Sequence, residues 1–563
     1  MKKGSFTFVL HSHLPYCRKA GHWPHGEEWL HEAISETYLP LLNALYNLRD
    51  EEIKFKLTIG ITPVLAEQLA DPLILEHFHI YIEDKIDRAV ADLKRFKEQK
   101  EKHLAYLAKY YSDFYQNLID SFDNRFQTNI IGAFKQLQDD GYIEVITSAA
   151  THSYLPLLER DSSIYGQLKT GVESYKRYFG RAPKAIWLPE CGYRPPYYTS
   201  TGGYTYIKPG IEQYLADLGI RLFFSETHAV EGEGGEPVGK ATGAVIGPHG
   251  SIPKRYIVPL PDYQEPTMET TFLPYWVQSA DVAVLGRNNR TGMQVWSADW
   301  GYPGEYNYRE FHKKDGISGF QYWRVTDDKL DLASKDYYHP DLAVNKVSEH
   351  AGHYSRLVEE LLDDFNRHNN KPGIIAATYD TELFGHWWFE GILWIKQVLK
   401  NLASSDTVEL VTASEFIEKH PPEDVLSLRE SSWGQAGNHF TWLNKDTEWM
   451  WPLIHAAELR MEELVAQYPN ASGKLADILN QAARELLLLE SSDWPFLITS
   501  DQARVYASDR FKEHISRFGR LADIASSGKI DSDDQSICRE YNELDNVFPD
   551  IDYRVFVNRE QKQ

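Results

Sequence analysis

Short runs of β-branched and aromatic residues recur through the first 422 positions. Each closes on a polar turn and leads into a stretch where apolar residues return every three to four places. That alternation predicts βα units around a parallel sheet. The candidate strands are Phe6–Leu10, Phe55–Ile61, Ile143–Thr147, Ala185–Leu188, Arg221–Phe224, Ile374–Thr378 and Val408–Val411. One intervening helix is clear: Leu357, Val358, Leu361, Leu362 and Phe365 share a face, and the turn Lys371-Pro372-Gly373 ends it and restarts a strand. The pattern as a whole predicts an α/β fold, a barrel of irregular outline.

Two stretches break the alternation. Residues 81–134 are highly charged and helical without a strand signal, and predict a helical insertion between two βα units. From Glu423 onward no strand alternation survives, while Asp477–Glu490 and Gln502–Phe518 carry helical periodicity. The expected organisation is a barrel over residues 1–422 and a helical domain over 423–563. The glycine density of Glu231–Gly250 forbids a regular element and predicts a mobile loop beside the site.

Charge then narrows the function. With 59 Lys and Arg against 82 Asp and Glu, the net charge is −23. Such a surface repels phosphate backbones and anionic lipid, so neither nucleic acid nor a membrane surface is expected as a partner. Aromatic residues make up 13 % of the chain, which points to a flat, uncharged ligand. The three cysteines, Cys17, Cys191 and Cys538, are far apart and form no CxxC pair. A reducing cytoplasm fits them. His11-Ser12-His13 interrupts the first apolar run, so no secretion signal is expected, and no run approaches the ~20 apolar residues of a membrane span.

In parallel barrels the catalytic side chains project from the C-terminal ends of the strands. After the first strand come His11 and His13; after the third, His152 and Tyr154; after Ala185–Leu188, Glu190; after Ile374–Thr378, Asp380 and Glu382. Two carboxylates, Glu190 and Asp380, thus face one mouth. Paired carboxylates suit glycoside cleavage, one stabilising an oxocarbenium-like centre while the other protonates the leaving oxygen. Sugar rings present C–H faces to aromatic planes, and Trp296, Trp433, Trp442 and Trp494 sit in segments rich in Ser, Gly and Thr. Glu382 is expected to hold an outer hydrogen bond, and Cys191 to pack.

The motifs HSHLPY, GYIEVITSAATHSYLP, AIWLPECGY, VWSADWGYPG and YDTELFGHWWFEG, with SSWG and SSDW near the end, appear in order along nearly the whole chain. They resemble glycoside hydrolase family 57, within it the α-1,4-glucan branching-enzyme and α-amylase group. The resemblance implies an incomplete (β/α)7 barrel with a helical insertion and a C-terminal helical domain. It also implies a retaining mechanism with Glu190 as nucleophile and Asp380 as general acid/base. His11, His13, His152, Trp296, Trp433, Trp442 and Asp493 occupy positions that line donor subsites in that family. An α-glucan is the implied partner, with no cofactor and no metal, and the oligomeric state is open.

Branching is the favoured outcome and hydrolysis, as in an α-amylase, the alternative. Branching members of the family carry a Tyr on a loop over the site; Ala229–Arg255 contains none, and the aromatic segment from Arg194 to Tyr206 is the candidate substitute. Two other classes stay open at this stage. A metal-dependent deacetylase would use His11 and His13 as ligands, and a non-catalytic glycan binder would need the aromatics but not the opposed acids.

Overall fold

The computed structural model describes residues 2–201, 204–232, 246–247, 250–251, 269–297, 301–327 and 329–559. Most of the glycine-rich stretch expected to form a mobile loop therefore lies outside the described residues.

Seven parallel strands form a ring: β1 (Gly4–Ser12), β2 (Leu57–Ile61), β3 (Ile143–Ile146), β4 (Ala185–Ile186), β5 (Leu222–Ser225), β6 (Ala283–Gly286) and β7 (Gly373–Asp380). β7, β1, β2 and β3 pair in that order, and β4, β5 and β6 pair in a second sheet. Two isolated parallel bridges, Thr147 to Ile186 and Arg287 to Ala376, join the sheets. The barrel closes, but at two seams it closes through a single bridge, which is what an incomplete (β/α)7 barrel means in hydrogen bonds. Strands covered on both faces read as unbroken apolar runs rather than alternating ones. Accordingly all nine residues of β1 are buried.

The seventh strand is β6, which the sequence pattern does not reveal. Its run, Ala283-Val-Leu-Gly286, is only four residues long and forms a hairpin with Pro274–Val277. Val408–Leu410, expected in the ring, is a strand outside it. It flanks Gly4–Phe6 of β1, below the point where β2 takes over at Val9.

The helical excursion begins earlier than expected. α1 (Pro72–Glu98) and α2 (Lys102–Asp120) pack on one another. Asp71 caps α1 by accepting from the amides of Leu73 and Ile74, with Pro72 in the first turn. α3 (Pro340–Asn369) carries the predicted apolar face and stops where Asn370 turns left-handed, just before β7. The C-terminal helices are α4 (Trp451–Gln467), α5 (Lys474–Leu489), α6 (Asp493–Thr499), α7 (Arg504–Ser527) and α8 (Ser532–Leu544). Between the barrel and α4, Val425–Leu426 is a short strand paired with Trp276–Val277, against the expectation that none follows Glu423. No helix among the described residues is long and apolar enough to cross a membrane.

α5 is the buried axis of the helical bundle, and its C-terminal end is tied to the loop after β3. Thr151 Oγ1 and Gln167 Nε2 both donate to the Leu487 carbonyl, Gln167 also reaches Glu490, and the Ser492 amide donates to the His152 carbonyl at 3.1 Å. The helical bundle thereby delivers residues 490–493 to the barrel mouth.

Two glycines test this architecture. Gly385, in the turn after β7, has φ 99°, and a Cβ there would collide with the Glu36 carbonyl. Gly180 ends a helix at φ 70°, with only Lys135 Cε near its Cβ position, at 3.8 Å. Gly385→Ala should destabilise the protein by roughly 3 kcal/mol or more, and Gly180→Ala by about 1 kcal/mol. Thermal and denaturant unfolding of the two variants checks the difference.

Candidate active site

Adjacent strand ends set the register of the site. His11, near the end of β1, pairs with Asp380 at the end of β7. The His11 ring lies on Trp187, centroids 5.0 Å apart and planes within 16°, so the residue after β4 supplies an aromatic floor. His13 lies face to face with His152 at 3.8 Å.

Glu190 sits in the turn that follows β4, with φ 60° and ψ 22°; Cys191 after it has φ 48°, and His152 has φ 57°. Non-glycine residues in the left-handed region cost about 1–3 kcal/mol each and gather where a site over-determines them. Here the Glu190 carbonyl is pinned by the Trp433 amide at 2.9 Å. Its carboxylate accepts from Trp433 Nε1 at 2.6 Å on one oxygen and from Ser492 Oγ at 3.2 Å on the other. One donor comes from the segment crossing the barrel mouth and the other from the helical bundle.

The hydrogen-bond chain fixes the protons. An ionised carboxylate only accepts. Ser492 Oγ therefore donates to Glu190 and accepts from His152 Nδ1 at 2.9 Å. His152 Nε2 is then bare and accepts from His11 Nε2 at 3.0 Å, which leaves His11 Nδ1 without a proton. That last atom is buried with no partner among the described residues. Burial, reinforced by the neighbouring imidazoles, holds His11 and His152 well below the usual histidine range, so both are neutral at pH 7. His13 is placed from three sides. Its amide donates to Glu382 at 3.2 Å, Nδ1 meets Thr62 Oγ1 at 3.1 Å, and Nε2 meets Asp493 Oδ1 at 2.9 Å.

Three buried carboxyls share the mouth with unequal surroundings. Burial pushes Glu190 up to about 7, opposed by its bonds from Trp433 and Ser492. Glu382 is likewise raised by burial to about 7 while it accepts from Tyr38 and the His13 amide. Asp380 is raised furthest from its ordinary range, first by burial, then by the charges of Glu382 and Glu190, with Arg287 opposing. No hydrogen bond reaches the Asp380 carboxyl among the described residues. Groups so placed do not ionise together. Glu190 and Glu382, each with two donors, ionise before Asp380, which keeps its proton longest. One carboxylate and one carboxylic acid at neutral pH are what acid-assisted displacement requires.

Arg287 and Glu226 were not found from the sequence. Arg287 follows β6 and donates to Glu226, which follows β5, at 2.7 Å, and both are buried. The guanidinium lies 5.8 Å from the Trp296 ring and 6.0 Å from that of Trp433, linking the two Trp residues expected to carry sugar. A search at every strand end would have flagged Glu226, but Arg287 needed β6.

The other expected residues divide. Glu382 does hold an outer hydrogen-bond position, and Cys191 is a buried, free thiol raised by burial, hence inert. Trp442 is a correction. It is 1 % exposed and stacked on Tyr154 at 4.0 Å, so it backs the site and offers no face to a ligand. Ala298–Trp300 of the VWSADWGYPG motif lie outside the described residues. The hairpin Tyr197–Thr201 with Tyr204–Lys208 is present, its Tyr198 is 76 % exposed, and its base is anchored by the buried pair Lys208 and Asp161 at 3.0 Å. His13, His152 and Asp493 each place one donor atom within 4.8 Å of the others. These nitrogens already meet protein partners: His13 Nε2 meets Asp493, and His152 Nδ1 and Nε2 meet Ser492 and His11.

Comparison with known proteins agrees with this architecture. Glycosyl hydrolase family 57 matches residues 7–429, and the C-terminal part of 1,4-alpha-glucan branching enzymes matches residues 453–556. A 1,4-alpha-glucan branching enzyme of Thermococcus kodakarensis is 45 % identical over 549 residues, 97 % of this chain and 77 % of its own length. The crystal structure of that enzyme in complex with glucose has a TM-score of 0.88 at 43 % identity, covering 99 % of this chain and 97 % of that one. The Pyrococcus horikoshii branching enzyme gives 0.86 at 42 %, covering 100 % and 98 %. The α-amylase AmyC of Thermotoga maritima gives 0.81 at 32 %, covering 99 % of each chain.

The donors to Glu190 generate a direct test. Ser492→Ala and Trp433→Phe each remove a bond to the ionised form, so each should raise the midpoint of the Glu190 titration above about 7, by roughly one pH unit. Infrared titration of the carboxylate stretch, with Glu190→Gln as the blank, reads the shift.

Proposed function

The chain belongs to glycosyl hydrolase family 57, as a 1,4-alpha-glucan branching enzyme, and from that membership we propose how its own residues carry the reaction. Glu190 attacks the anomeric carbon of an α-1,4-linked glucose while Asp380 gives its proton to the departing oxygen. The bond to the leaving glucan breaks as the bond to Glu190 forms, leaving a covalent glycosyl-enzyme. Asp380, now ionised, takes the proton from a glucose 6-hydroxyl of an acceptor chain. That oxygen displaces Glu190 and closes an α-1,6 linkage. Two inversions give net retention.

The observation that carries this assignment is the unequal setting of the two acids. Trp433 and Ser492 favour the ionised form of Glu190, while Asp380, beside Glu382 and Glu190, holds its proton more firmly. The surrounding residues take supporting roles. Trp296 and Trp433, joined through Arg287, offer faces to sugar rings, while His11, His13, His152 and Asp493 meet sugar hydroxyls at the rim. A catalytic part over residues 1–422 followed by a helical part over 423–563 fits the delivery of Ser492 and Asp493 from outside the barrel. The hairpin bearing Tyr197 and Tyr198 is the element we assign to cover the bound chain. Water admitted to the glycosyl-enzyme gives hydrolysis instead, so cover over the cleft favours transfer. Cys17, Cys191 and Cys538 are buried and unpaired, which suits a cytoplasmic location.

Incubation with amylose, followed by a debranching enzyme, tests the outcome. Branching releases new chains only after debranching, whereas reducing ends without α-1,6 linkages would overturn the proposal. Glu190→Gln should lower kcat by roughly 10⁴-fold or more and Asp380→Asn by roughly 10²–10⁴-fold, with folding retained. Because Glu190 must be ionised, kcat/KM should rise with pH through about 7. It should fall again at higher pH, where Asp380 loses its proton. Ser492→Ala, which weakens the ionised form, should move the acidic limb upward.

A further inference from the structure

A second convergence of imidazoles and a carboxylate lies apart from the catalytic acids. Glu27 begins the short helix Glu27–Ala33, and its carboxylate is buried, with a side chain 1 % exposed. His77, from α1, places Nδ1 2.6 Å from Glu27 Oε2, and His22, from the loop after β1, places Nδ1 3.2 Å from the same oxygen. Among the described residues the other oxygen accepts only from the Lys19 amide, at 3.3 Å. No Lys or Arg side chain pairs with Glu27 among the described residues. Arg18 is paired with Asp71 and Lys19 with Glu543. His31, one turn along the helix, supplies no charge either, because burial and then the neighbouring His77 and His22 push it down to about 4.

A buried carboxylate is costly unless a cation meets it. Among the described residues, the side chains that meet this carboxylate are the two imidazoles, both on one oxygen. Their geometry suits another answer. The rings lie 5.2 Å apart at 64°, and both turn Nδ1 toward the same carboxylate oxygen. All three donor atoms lie within 4.8 Å of one another. Zinc-class ions bind imidazole nitrogen and carboxylate oxygen at about 2.0–2.2 Å, which sets tetrahedral donors about 3.3 Å apart. His22 already stands at that distance from Glu27, and His77 needs to withdraw by less than 1 Å. The His22 side chain is 73 % exposed, which leaves an entry path and an open side for water.

We propose that His22, Glu27 and His77 form a site for a divalent transition-metal ion of the zinc class, with water completing the shell. Two nitrogens and one carboxylate oxygen exclude calcium and magnesium as preferred occupants, since those favour all-oxygen shells. The ion would fasten the loop that follows His13 to α1, and so brace one side of the barrel mouth. It takes no part in the glucan chemistry.

The test uses the full chain, stripped with chelator and titrated with Co(II) as a spectroscopic probe and with Zn(II) by calorimetry. One equivalent should bind, with the intense visible bands of low-coordinate cobalt, and Zn(II) should raise the melting temperature. His22→Ala, an exposed position, should fold normally, keep metal-free branching activity, weaken binding at least about tenfold and abolish the melting shift. His77→Gln should do the same to binding. No binding overturns the proposal. So does binding that His22→Ala leaves unchanged, above all if the ion then inhibits branching, which would place it among His13, His152 and Asp493.

Discussion

The structure turns on the two hydrogen bonds that the Glu190 carboxylate accepts. A carboxyl taken out of water favours its neutral form, and in this barrel burial pushes both Glu190 and Asp380 that way. Trp433 Nε1 and Ser492 Oγ oppose that for one of them, Glu190, which stands at about 7. Neither donor belongs to a barrel strand. The barrel supplies the acids, and the segments outside it decide which acid is charged. That is a physical reason for a glycosidic barrel to carry a helical bundle whose buried axis, α5, ends at the active-site mouth.

The histidines extend the same logic. Because Ser492 donates to Glu190, the proton positions on His152 and His11 follow in sequence, and both rings stay neutral. A charged imidazole there would hold the Glu190 carboxylate down in its ionised form and make it a weaker base. Glu382 serves from behind, orienting His13 through its backbone amide and bonding Tyr38. The left-handed backbone at His152, Glu190 and Cys191 shows that strand-end geometry alone does not aim these side chains. Contacts from Trp433 and Ser492 hold them in place.

Most of the ring was legible in the sequence because strands buried on both faces leave apolar runs that need no partner information. β6 was not legible, since four apolar residues in a hairpin look like any buried loop, and Val408–Leu410 looked equally good although it lies outside the ring. Glu190 and Asp380 were legible as two carboxyls at one mouth because they follow clear strands. Arg287 was lost with β6, and Ser492 was hidden because nothing local shows a serine after α5 meeting a glutamate three hundred residues earlier. Trp442 misled for a related reason: its neighbours in sequence are loop-like, but Tyr154, which buries it, comes from the other side of the chain. Periodicity reports which face of an element is buried, and long-range contacts decide what buries it.

Trapping the intermediate tests the central claim most directly. A 5-fluoro maltosyl fluoride donor slows the second displacement, so the enzyme should accumulate a covalent adduct that mass spectrometry of its peptides can locate. The account predicts one glycosyl unit on Glu190, with Asp380→Asn slowing turnover of that adduct. An adduct on Asp380, or turnover of such donors without any adduct, would contradict it.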